Sequence, residues 1–160
     1  MYFSGSSEVS IDDKGRIVIP EKYRTDLGAN FVVAKGNSGC LSIMTSEYWE
    51  LKFASKFEDM EMLDEEAELL ARWFCAEALV NCNPDSQGRI SISSSLREYA
   101  DLKPGNPVMI LGMVKKLEIW DKAAYIEVRK KYTPGAIQRA ATAMGMRRSS
   151  GVLELVGAED

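Results

Sequence analysis

One short segment occurs twice in this chain of 160 residues, and the repeat limits how the chain can fold. The segment DDKGRIVIP covers residues 12–20, and DSQGRISIS covers residues 85–93. A chain of this length forms one compact domain, or two very small ones that share a core. The repeat therefore predicts two related units around a common core. The positions that match at a constant offset of 73 residues are Asp12, Gly15, Arg16, Ile17, Ile19 and Arg24 with Asp85, Gly88, Arg89, Ile90, Ile92 and Arg97.

Each copy has the composition of a tight turn between two strands. Aspartate at the first position and glycine at the fourth are typical of a type I turn, and Gly15 is expected to take a positive φ. Apolar and polar residues alternate on both sides of the turn, which predicts a β-hairpin with one buried face. Arg16 and Arg89 then point outward. The predicted buried face holds Val9, Ile11, Ile17 and Ile19, and in the second copy Ile90 and Ile92.

A short helix and two apolar strands are predicted after each turn. Both helices present an arginine, Arg24 or Arg97. The helix signals are Pro20 in the first turn, Tyr23, Leu27 and the terminal Gly28, and in the second copy a capping box of Ser95 and Glu98. The strand-like runs are FVVAK (31–35), LSIM (41–44), VMILG (108–112) and LEIWD (117–121).

Further helices are predicted between and after the two copies. The segments TSEYWELKFASKF and DKAAYIEVRKKY space their apolar residues as one face of a helix, which places their aromatic residues in the core. A last helix begins at Thr133 and Pro134, and the tail after it either adds a strand or stays irregular. Residues 63–80 are expected to form one helix that packs on the shared core through Leu63, Ala67, Leu70, Phe74 and Ala78.

The residue content argues against an enzyme. The chain has no histidine, which removes Ser-His-Asp and Cys-His catalysis. Cys40, Cys75 and Cys82 stand at unrelated spacings, and without histidine they do not match the usual zinc ligand patterns. We expect them to be buried, reduced thiols. A hydrolase that uses only carboxylates stays an unsupported alternative. No phosphate-binding loop of the GxxxxGK type occurs, and together with the missing histidine and the absence of a metal ligand pattern this leads us to expect no catalysis, cofactor or bound metal.

The composition is that of a globular protein of the cytoplasm. Hydrophobic residues make up 46% and charged residues 28% of the chain, which leaves little room for long disordered segments. No apolar run approaches the roughly 20 residues of a membrane-spanning helix. The first residues, MYFSGSSEVS, lack the basic start and apolar region of a signal peptide. We therefore expect no membrane partner.

Charge is distributed unevenly along the chain, although the net charge is only −4. Residues 47–79 hold ten acidic and three basic residues, whereas residues 115–148 hold nine basic and three acidic residues. Opposite charges on the two segments are compatible with head-to-tail self-association, and such contacts close into rings when the rotation permits. The simpler alternative is two solvated helix faces. Sequence reasoning leaves both open.

Basic residues also accumulate around the two turns, where they could contact phosphates. In isolation, each aspartate and arginine of a turn could instead form a surface ion pair of little energetic value, roughly 0 to 1 kcal/mol. Both copies nevertheless keep the arginine on the polar face, and a repeated outward base suggests a repeated target. The candidate DNA-binding residues are Lys14, Arg16, Lys22, Arg24, Gln87, Arg89 and Arg97.

The chain resembles the MraZ family of bacterial transcriptional regulators over roughly residues 1–145. The resemblance rests on the opening MYFSG, on IDDKGRIVIPEKYR, on DSQGRISISSSLREYADL and on LEIWD. It implies an α+β fold with a mainly β core, in which two tandem AbrB-like swapped-hairpin units build a double-split β-barrel with additional helices. The first unit with its linking helix would cover residues 1–80, the second with its helices 81–148, and a tail 149–160.

Several functional expectations follow from the resemblance. Family members bind direct repeats of double-stranded DNA in the promoter of the division and cell-wall gene cluster, usually as repressors and as ring-shaped homo-oligomers on the nucleoid. The resemblance implies that the arginines and Lys14 face DNA. The residues that would orient them are Asp12, Gly15, Asp85 and Gly88.

Two departures from the family pattern concern the second copy. The family's proline after the motif is Ser93 here, and Gln87 stands where Lys14 stands in the first copy. The second unit is therefore expected to bind more weakly or to serve mainly as a scaffold. A different class of function also remains open, namely a protein-interaction or scaffold ring with little affinity for DNA.

Overall fold

The structure is a computed structural model that describes residues 2–60, 64–149 and 152–155. The chain divides into two compact units, residues 1–122 and residues 123–160. These are the first and the second unit of the structure, and they differ from the two tandem units predicted from the sequence. The first unit contains both sequence copies. The second begins one residue into helix α6 (Lys122–Arg129) and contains the rest of the chain. The division into tandem sequence units at residue 80 stays a prediction.

Strands and short helices alternate in the first unit, as the two copies predict. The strands are β1 (Ser6–Ser10), β2 (Arg16–Val18), β3 (Phe31–Lys35), β4 (Leu41–Met44), β5 (Leu79–Cys82), β6 (Arg89–Ser91), β7 (Pro107–Gly112) and β8 (Leu117–Asp121). The helices are α1 (Glu21–Leu27), α2 (Ser46–Trp49), α3 (Ser55–Glu58), α4 (Glu65–Leu70) and α5 (Ser94–Tyr99). Wider π-type turns, Glu50–Ala54 and Ala71–Ala76, continue α2 and α4.

Six of the strands form one antiparallel sheet in the order β1-β7-β8-β4-β3-β5. The two copies exchange strands within it. Strand β1 of the first copy pairs with β7 of the second, and β5 of the second pairs with β3 of the first. The central pair, β4 with β8, joins one strand from each copy. The predicted α+β class with a mainly antiparallel sheet is confirmed, and the double-split barrel stays a prediction.

Strands β2 and β6 form a separate two-stranded ribbon, again with one strand from each copy. Ile17 lies opposite Ile90 at its centre. The backbone N–H of Ile19 donates to the carbonyl of Gly88 at 2.8 Å, and that of Ile92 donates to the carbonyl of Gly15 at 2.9 Å. The predicted pairing within each hairpin is therefore wrong. The turns form, but the strands beside each turn pair elsewhere.

The alternation of the sequence matches the way the main core is built. Ile17, Ile19, Ile90 and Ile92 are almost fully buried, whereas Val18 is 41% exposed. Burial of apolar area is the main favourable term in folding, so this alternation fixes which face of the ribbon turns inward. The helices contribute to the same core through Tyr23 and Leu27 of α1 and Leu96 of α5, together with Ala100 directly after α5.

A second apolar cluster covers the opposite face of the sheet. Val32 and Ala34 belong to it, whereas Phe31 and Val33, which alternate with them, belong to the main core. Trp49 packs against Phe74 with ring centroids 5.1 Å apart. The aromatic residues of TSEYWELKFASKF thus pack in a core, as predicted.

The predicted helix over 63–80 is partly wrong. Its helical part ends at Ala76, and Leu79 begins strand β5. Phe74 and Ala78 pack against the second cluster, but Leu70 is 45% exposed. Position 63 lies outside the described residues. A single apolar period could not reveal that the last residues of this stretch complete the sheet.

The helix ends follow the predicted signals in most cases. Gly28 ends α1 with a φ of 67°, which glycine adopts without steric cost. Pro20 stands just before the first helical residue, Glu21. The predicted capping box in the second copy is wrong, because α5 begins at Ser94 after Ser93, and no side chain caps it.

In its described residues, the second unit has two helices and one pair of antiparallel strands. Helix α6 (Lys122–Arg129) precedes α7 (Pro134–Ala143), and the hydroxyl of Thr133 accepts the N–H of Ala136 at 3.2 Å, which confirms the predicted helix start. Strand β9 (Met146–Ser149) pairs with β10 (Val152–Leu155), so part of the tail adds a strand. Within the described ranges, every helix is too short or too polar to cross a membrane.

The three cysteines carry free thiols, as expected. Cys40 is buried, and this burial raises the pKa of its thiol to about 12. Burial also raises the pKa of Cys75 and of Cys82, although both are only partly buried. A thiol with a raised pKa forms little thiolate at neutral pH, so these side chains are poor nucleophiles.

Candidate nucleic-acid interface

The two turns have the same internal hydrogen bonds. Oδ1 of Asp12 accepts the backbone N–H groups of Lys14 and Arg16, each at 2.9 Å, and Oδ2 accepts Nε of Arg16 at 2.7 Å. Asp85 accepts the corresponding groups of Gln87 and Arg89 at the same distances. Each aspartate therefore fixes both the backbone of its turn and the side chain of its arginine.

These bonds stabilise the charged form of both aspartates. The pKa of Asp12 lies below its ordinary value, first because of the backbone N–H of Arg16 and then because of the Arg16 side chain. The pKa of Asp85 is lowered in the same way by Arg89. A carboxyl group with a lowered pKa stabilises the fold above its unfolded pKa, and this contribution disappears as pH falls through the folded pKa.

We expect both turns to keep their conformation from pH 8 to pH 5, because both carboxylates stay charged throughout that range. The backbone amide signals of Gly15 and Gly88, followed by NMR, should not shift with a carboxyl titration in this window. They should shift only below the ordinary aspartate pKa of about 3.9. In Asp12→Asn the Gly15 signal should differ from wild type across the whole range while that of Gly88 keeps its titration. A midpoint near pH 6 for either glycine would contradict this geometry.

Glycine is required at the fourth position of both turns. Gly15 has a φ of 75° and Gly88 a φ of 80°, a region that other residues rarely adopt. The N–H of each glycine donates to the carbonyl of the turn aspartate, at 3.0 Å for Gly15 and 2.9 Å for Gly88. The predicted positive φ of Gly15 is thus confirmed.

The two motif arginines share one face of the ribbon. Arg16 lies opposite Ser91, and Arg89 lies opposite Val18. Residues opposite each other on paired strands point to the same side, and diagonal neighbours are roughly 7–8 Å apart. The arginines therefore stand close together on the face away from the buried Ile17 and Ile90.

Both motif arginines remain accessible from outside. The side chain of Arg16 is 26% exposed and that of Arg89 is 29% exposed. They line a groove of about 430 Å³ together with Ser91 and with residues 79–83 at the edge of the sheet. Each arginine uses its Nε on the turn aspartate. Its Nη groups have no acceptor in the described part of the chain, and they remain available to a ligand.

The other predicted site residues fall into two groups. Lys14 and Gln87 are exposed on the two turns, and Lys22 is exposed on α1. Arg24 and Arg97 are only partly exposed, and their guanidinium groups pack against the turns. The structure thus brings the first group to the surface and places the second group behind the turns.

The packing of Arg24 and Arg97 crosses between the copies. A Cβ atom built on Gly88 would lie 2.8 Å from Cζ of Arg24, and one built on Gly15 would lie 2.8 Å from Cζ of Arg97. Each arginine therefore contacts the turn of the other copy. Sequence reasoning missed this contact, since the offset of 73 residues relates equivalent positions but does not show which copy each position contacts.

The arrangement suits an extended anionic ligand. A guanidinium group donates two parallel hydrogen bonds to a phosphate or to a guanine edge. A two-stranded ribbon is narrow enough to enter the major groove of DNA. Among the residues that the structure describes, no group of three or more histidine, cysteine, aspartate or glutamate side chains is placed to hold a metal ion.

Comparison with known proteins agrees with this geometry. The family model described as "MraZ protein, putative antitoxin-like" matches residues 2–73 and 76–145, one match for each copy. A protein of Caldanaerobacter subterraneus subsp. tengcongensis is 37% identical over 126 residues, which is 79% of this chain and 85% of that protein. One of Halothermothrix orenii is 38% identical over 118 residues, or 74% and 80%. One of Acetivibrio thermocellus is 37% identical over 123 residues, or 77% and 83%. All three relatives are named "Transcriptional regulator MraZ". The chain belongs to the MraZ family.

Proposed function

We propose that this protein is a transcriptional regulator that binds double-stranded DNA through the ribbon and its two turns. The observation that carries the proposal is the pair of arginines, Arg16 and Arg89, on one outward face. Each is held by an aspartate of its own turn and keeps its Nη groups unbonded within the described structure. The names of the relatives support the same function.

The contacts divide by chemistry. Arg16 and Arg89, as planar donors, reach base edges or phosphates when the ribbon enters the major groove. Lys14 and Lys22 add point charges that attract the phosphate backbone, and Gln87 offers a neutral amide in the second turn. The first turn therefore contributes more charge than the second, which agrees with weaker binding by the second copy. Arg24 and Arg97 complete the candidate set behind the turns.

The finer architecture is also part of this proposal. The sheet and the ribbon together would form the double-split barrel of two tandem AbrB-like units, residues 1–80 and 81–148. The exchange of β1 and β5 between the copies supports this reading. In such a barrel the two turns would be parts of one rigid body, and neither could move alone.

Self-association would multiply weak contacts with DNA. The acidic helix α4 and its continuation expose Leu69, Leu70 and Trp73, while the basic second unit exposes Ile126 and Ile137. Opposite charge and exposed apolar side chains on two separate surfaces favour a head-to-tail contact between copies, which could close as a ring. Linked subunits would gain affinity through effective concentration without any new type of contact.

The biological target is the most specific part of the proposal. We infer that the ring acts in the cytoplasm, on the nucleoid, as a repressor of the promoter of the division and cell-wall gene cluster. Direct repeats in that promoter would each receive one subunit. The resemblance of the motif segments to the family supports this target.

A mobility-shift titration tests the proposal. The probe is a duplex that covers the region upstream of the gene for this chain, and the protein is first sized by light scattering. We expect a shifted complex whose affinity falls with salt, with log K decreasing by roughly 0.9 per phosphate contact and per unit of log salt. A scrambled duplex of equal length and composition is the control. Absence of any shift, combined with capture of a protein partner, would instead favour a scaffold ring.

A further inference from the structure

The crosswise contact between Arg24, Arg97 and the turns assigns these two arginines a defined place in DNA binding. The guanidinium of Arg97 occupies the space that a side chain at Gly15 would fill, with Nε and Nη1 both 2.9 Å from a Cβ built there. The guanidinium of Arg24 occupies the equivalent space at Gly88, with Nη1 at 2.7 Å and Nε at 3.1 Å. Glycine is thus needed at both turns for this contact as well as for the backbone.

Each of the two guanidinium groups has one buried donor without a partner among the described residues. In the part of the chain that the structure describes, Nε of Arg24 and Nε of Arg97 are sealed from solvent without a hydrogen bond. Neither side chain forms an ion pair there, in contrast to Arg16 and Arg89, which pair with their turn aspartates. A partly buried cation with an unsatisfied donor is destabilising. The same cost occurs at both equivalent positions, which is consistent with a ligand that binds the remaining donors of each guanidinium group.

Only one end of each guanidinium can receive that ligand. Nε is sealed from solvent and Nη1 also packs against the turn glycine, so an outside group must approach the part of the guanidinium that points away from that glycine. Next to that end stands the turn of the other copy, with its own outward arginine. Two guanidinium groups from different copies therefore lie beside each turn.

We propose that the protein has two phosphate sites, each built from both copies. One site consists of Arg24 with the turn of residues 85–88 and Arg89. The other consists of Arg97 with the turn of residues 12–15 and Arg16. The ligand is a phosphodiester group of the DNA backbone, so this inference rests on the proposed function. In each site, the arginine on the helix of one copy donates to the phosphate and also supports the turn of the other copy. That turn holds the second arginine, which donates to the same phosphate.

The proposal predicts a specific pattern of energetic coupling. Contacting groups that share a ligand are not additive, whereas groups without a shared partner are. Arg24→Ala and Arg89→Ala together should weaken DNA binding less than the product of their separate effects, by about threefold or more. Arg97→Ala and Arg16→Ala should behave in the same way. For the pairs within one copy, Arg24 with Arg16 and Arg97 with Arg89, the double variant should weaken DNA binding by the product of the two separate effects.

Fluorescence anisotropy with the upstream duplex measures the DNA affinity of the single and double variants, which form four double-mutant cycles. Each single variant at Arg24 or Arg97 should also reduce the slope of log K against log salt by about 1, because one phosphate contact is lost. Additive crosswise pairs, or coupling confined to pairs within one copy, would overturn the proposal. An unchanged salt slope would overturn the phosphate contact as well, since mere support of a turn does not release a counterion.

Two controls keep the outcomes distinct. Thermal unfolding of every variant checks folding, and Arg24→Lys and Arg97→Lys replace the alanine variants if those do not fold, with the same coupling expected but with the salt slope kept, because lysine retains the charge. Lysine keeps the charge but cannot place a planar fork against the glycine. If Arg16→Ala and Arg89→Ala leave binding unchanged, the proposed function fails. If Arg16→Ala and Arg89→Ala weaken DNA binding but the crosswise pairs are additive, only the proposal of shared phosphate sites fails.

Discussion

Replacing Arg16 with alanine should lower the affinity for the upstream duplex by about 10- to 100-fold, with the fold unchanged. This range lies within the roughly 1–3 kcal/mol, or about 5- to 160-fold, of a specific contact from arginine to DNA. The side chain lies on the outer face of the ribbon and leaves its Nη groups for the ligand, so its removal creates no cavity in the core. A mobility-shift titration measures the loss, and circular dichroism checks the fold.

The matched control for this variant is Arg72→Ala. Arg72 lies in the π-type turn that continues α4, its side chain is 68% exposed, and it pairs only loosely with Glu68, at 3.6 Å. The substitution removes the same unit of positive charge from the first unit of the chain. Because Arg72 lies beside the exposed Leu70 and Trp73, which belong to the proposed contact between copies, light scattering must first show an unchanged oligomer size. The effect of the substitution on affinity should then stay within about twofold, as expected of an exposed charge with no contact to the ligand. Equal losses of DNA affinity from Arg16→Ala and Arg72→Ala would show that Arg16 acts only through unspecific attraction by net charge.

Replacing Ile17 with alanine should destabilise the protein by about 2–5 kcal/mol. Ile17 is 1% exposed and lies opposite Ile90 in the centre of the ribbon, so the substitution leaves a cavity between strands of both copies. That loss is a large part of the 5–15 kcal/mol that stabilises a typical domain. Urea unfolding followed by tryptophan fluorescence gives the free energy of unfolding.

Val18→Ala is the matched control, because Val18 is the next residue on the same strand and is 41% exposed. Its cost should lie within about 0.5 kcal/mol, as for most exposed positions. Ile90→Ala should resemble Ile17→Ala, since Ile90 is 4% exposed at the paired position. Similar stabilities for Ile17→Ala and Val18→Ala would show that the ribbon does not form the interior of the protein.

The elements of the fold could be predicted from the sequence wherever local chemistry decides. The alternation of apolar and polar residues predicted that Ile17 and Ile19 are buried and that the motif arginines face outward, and the turn signals predicted the positive φ of Gly15. The pairing of strands could not be predicted in this way. A hairpin and an exchanged strand have the same local sequence, because alternation specifies which face is buried but not which strand lies beside it.

The candidate site shows the same division. The turns, their aspartates and their outward arginines follow from residue types at fixed spacing. The contact of Arg97 with Gly15 joins residues that are far apart in the chain, and it depends on how the copies interlock. No pattern within one copy encodes it. The predicted capping box does not form, because Ser95 and Glu98 both lie inside α5, which begins at Ser94.

The exchange of strands also has a consequence for synthesis on the ribosome. Strand β1 ends at Ser10, but its partner β7 begins only at Pro107, nearly 100 residues later. At translation rates of roughly 5–20 residues per second, β1 must wait for about 5–20 seconds before its partner has even been polymerised. The nascent amino-terminal half therefore cannot complete its sheet while it emerges. It exposes an unpaired edge to chaperones and to neighbouring nascent chains until most of the second half has been made.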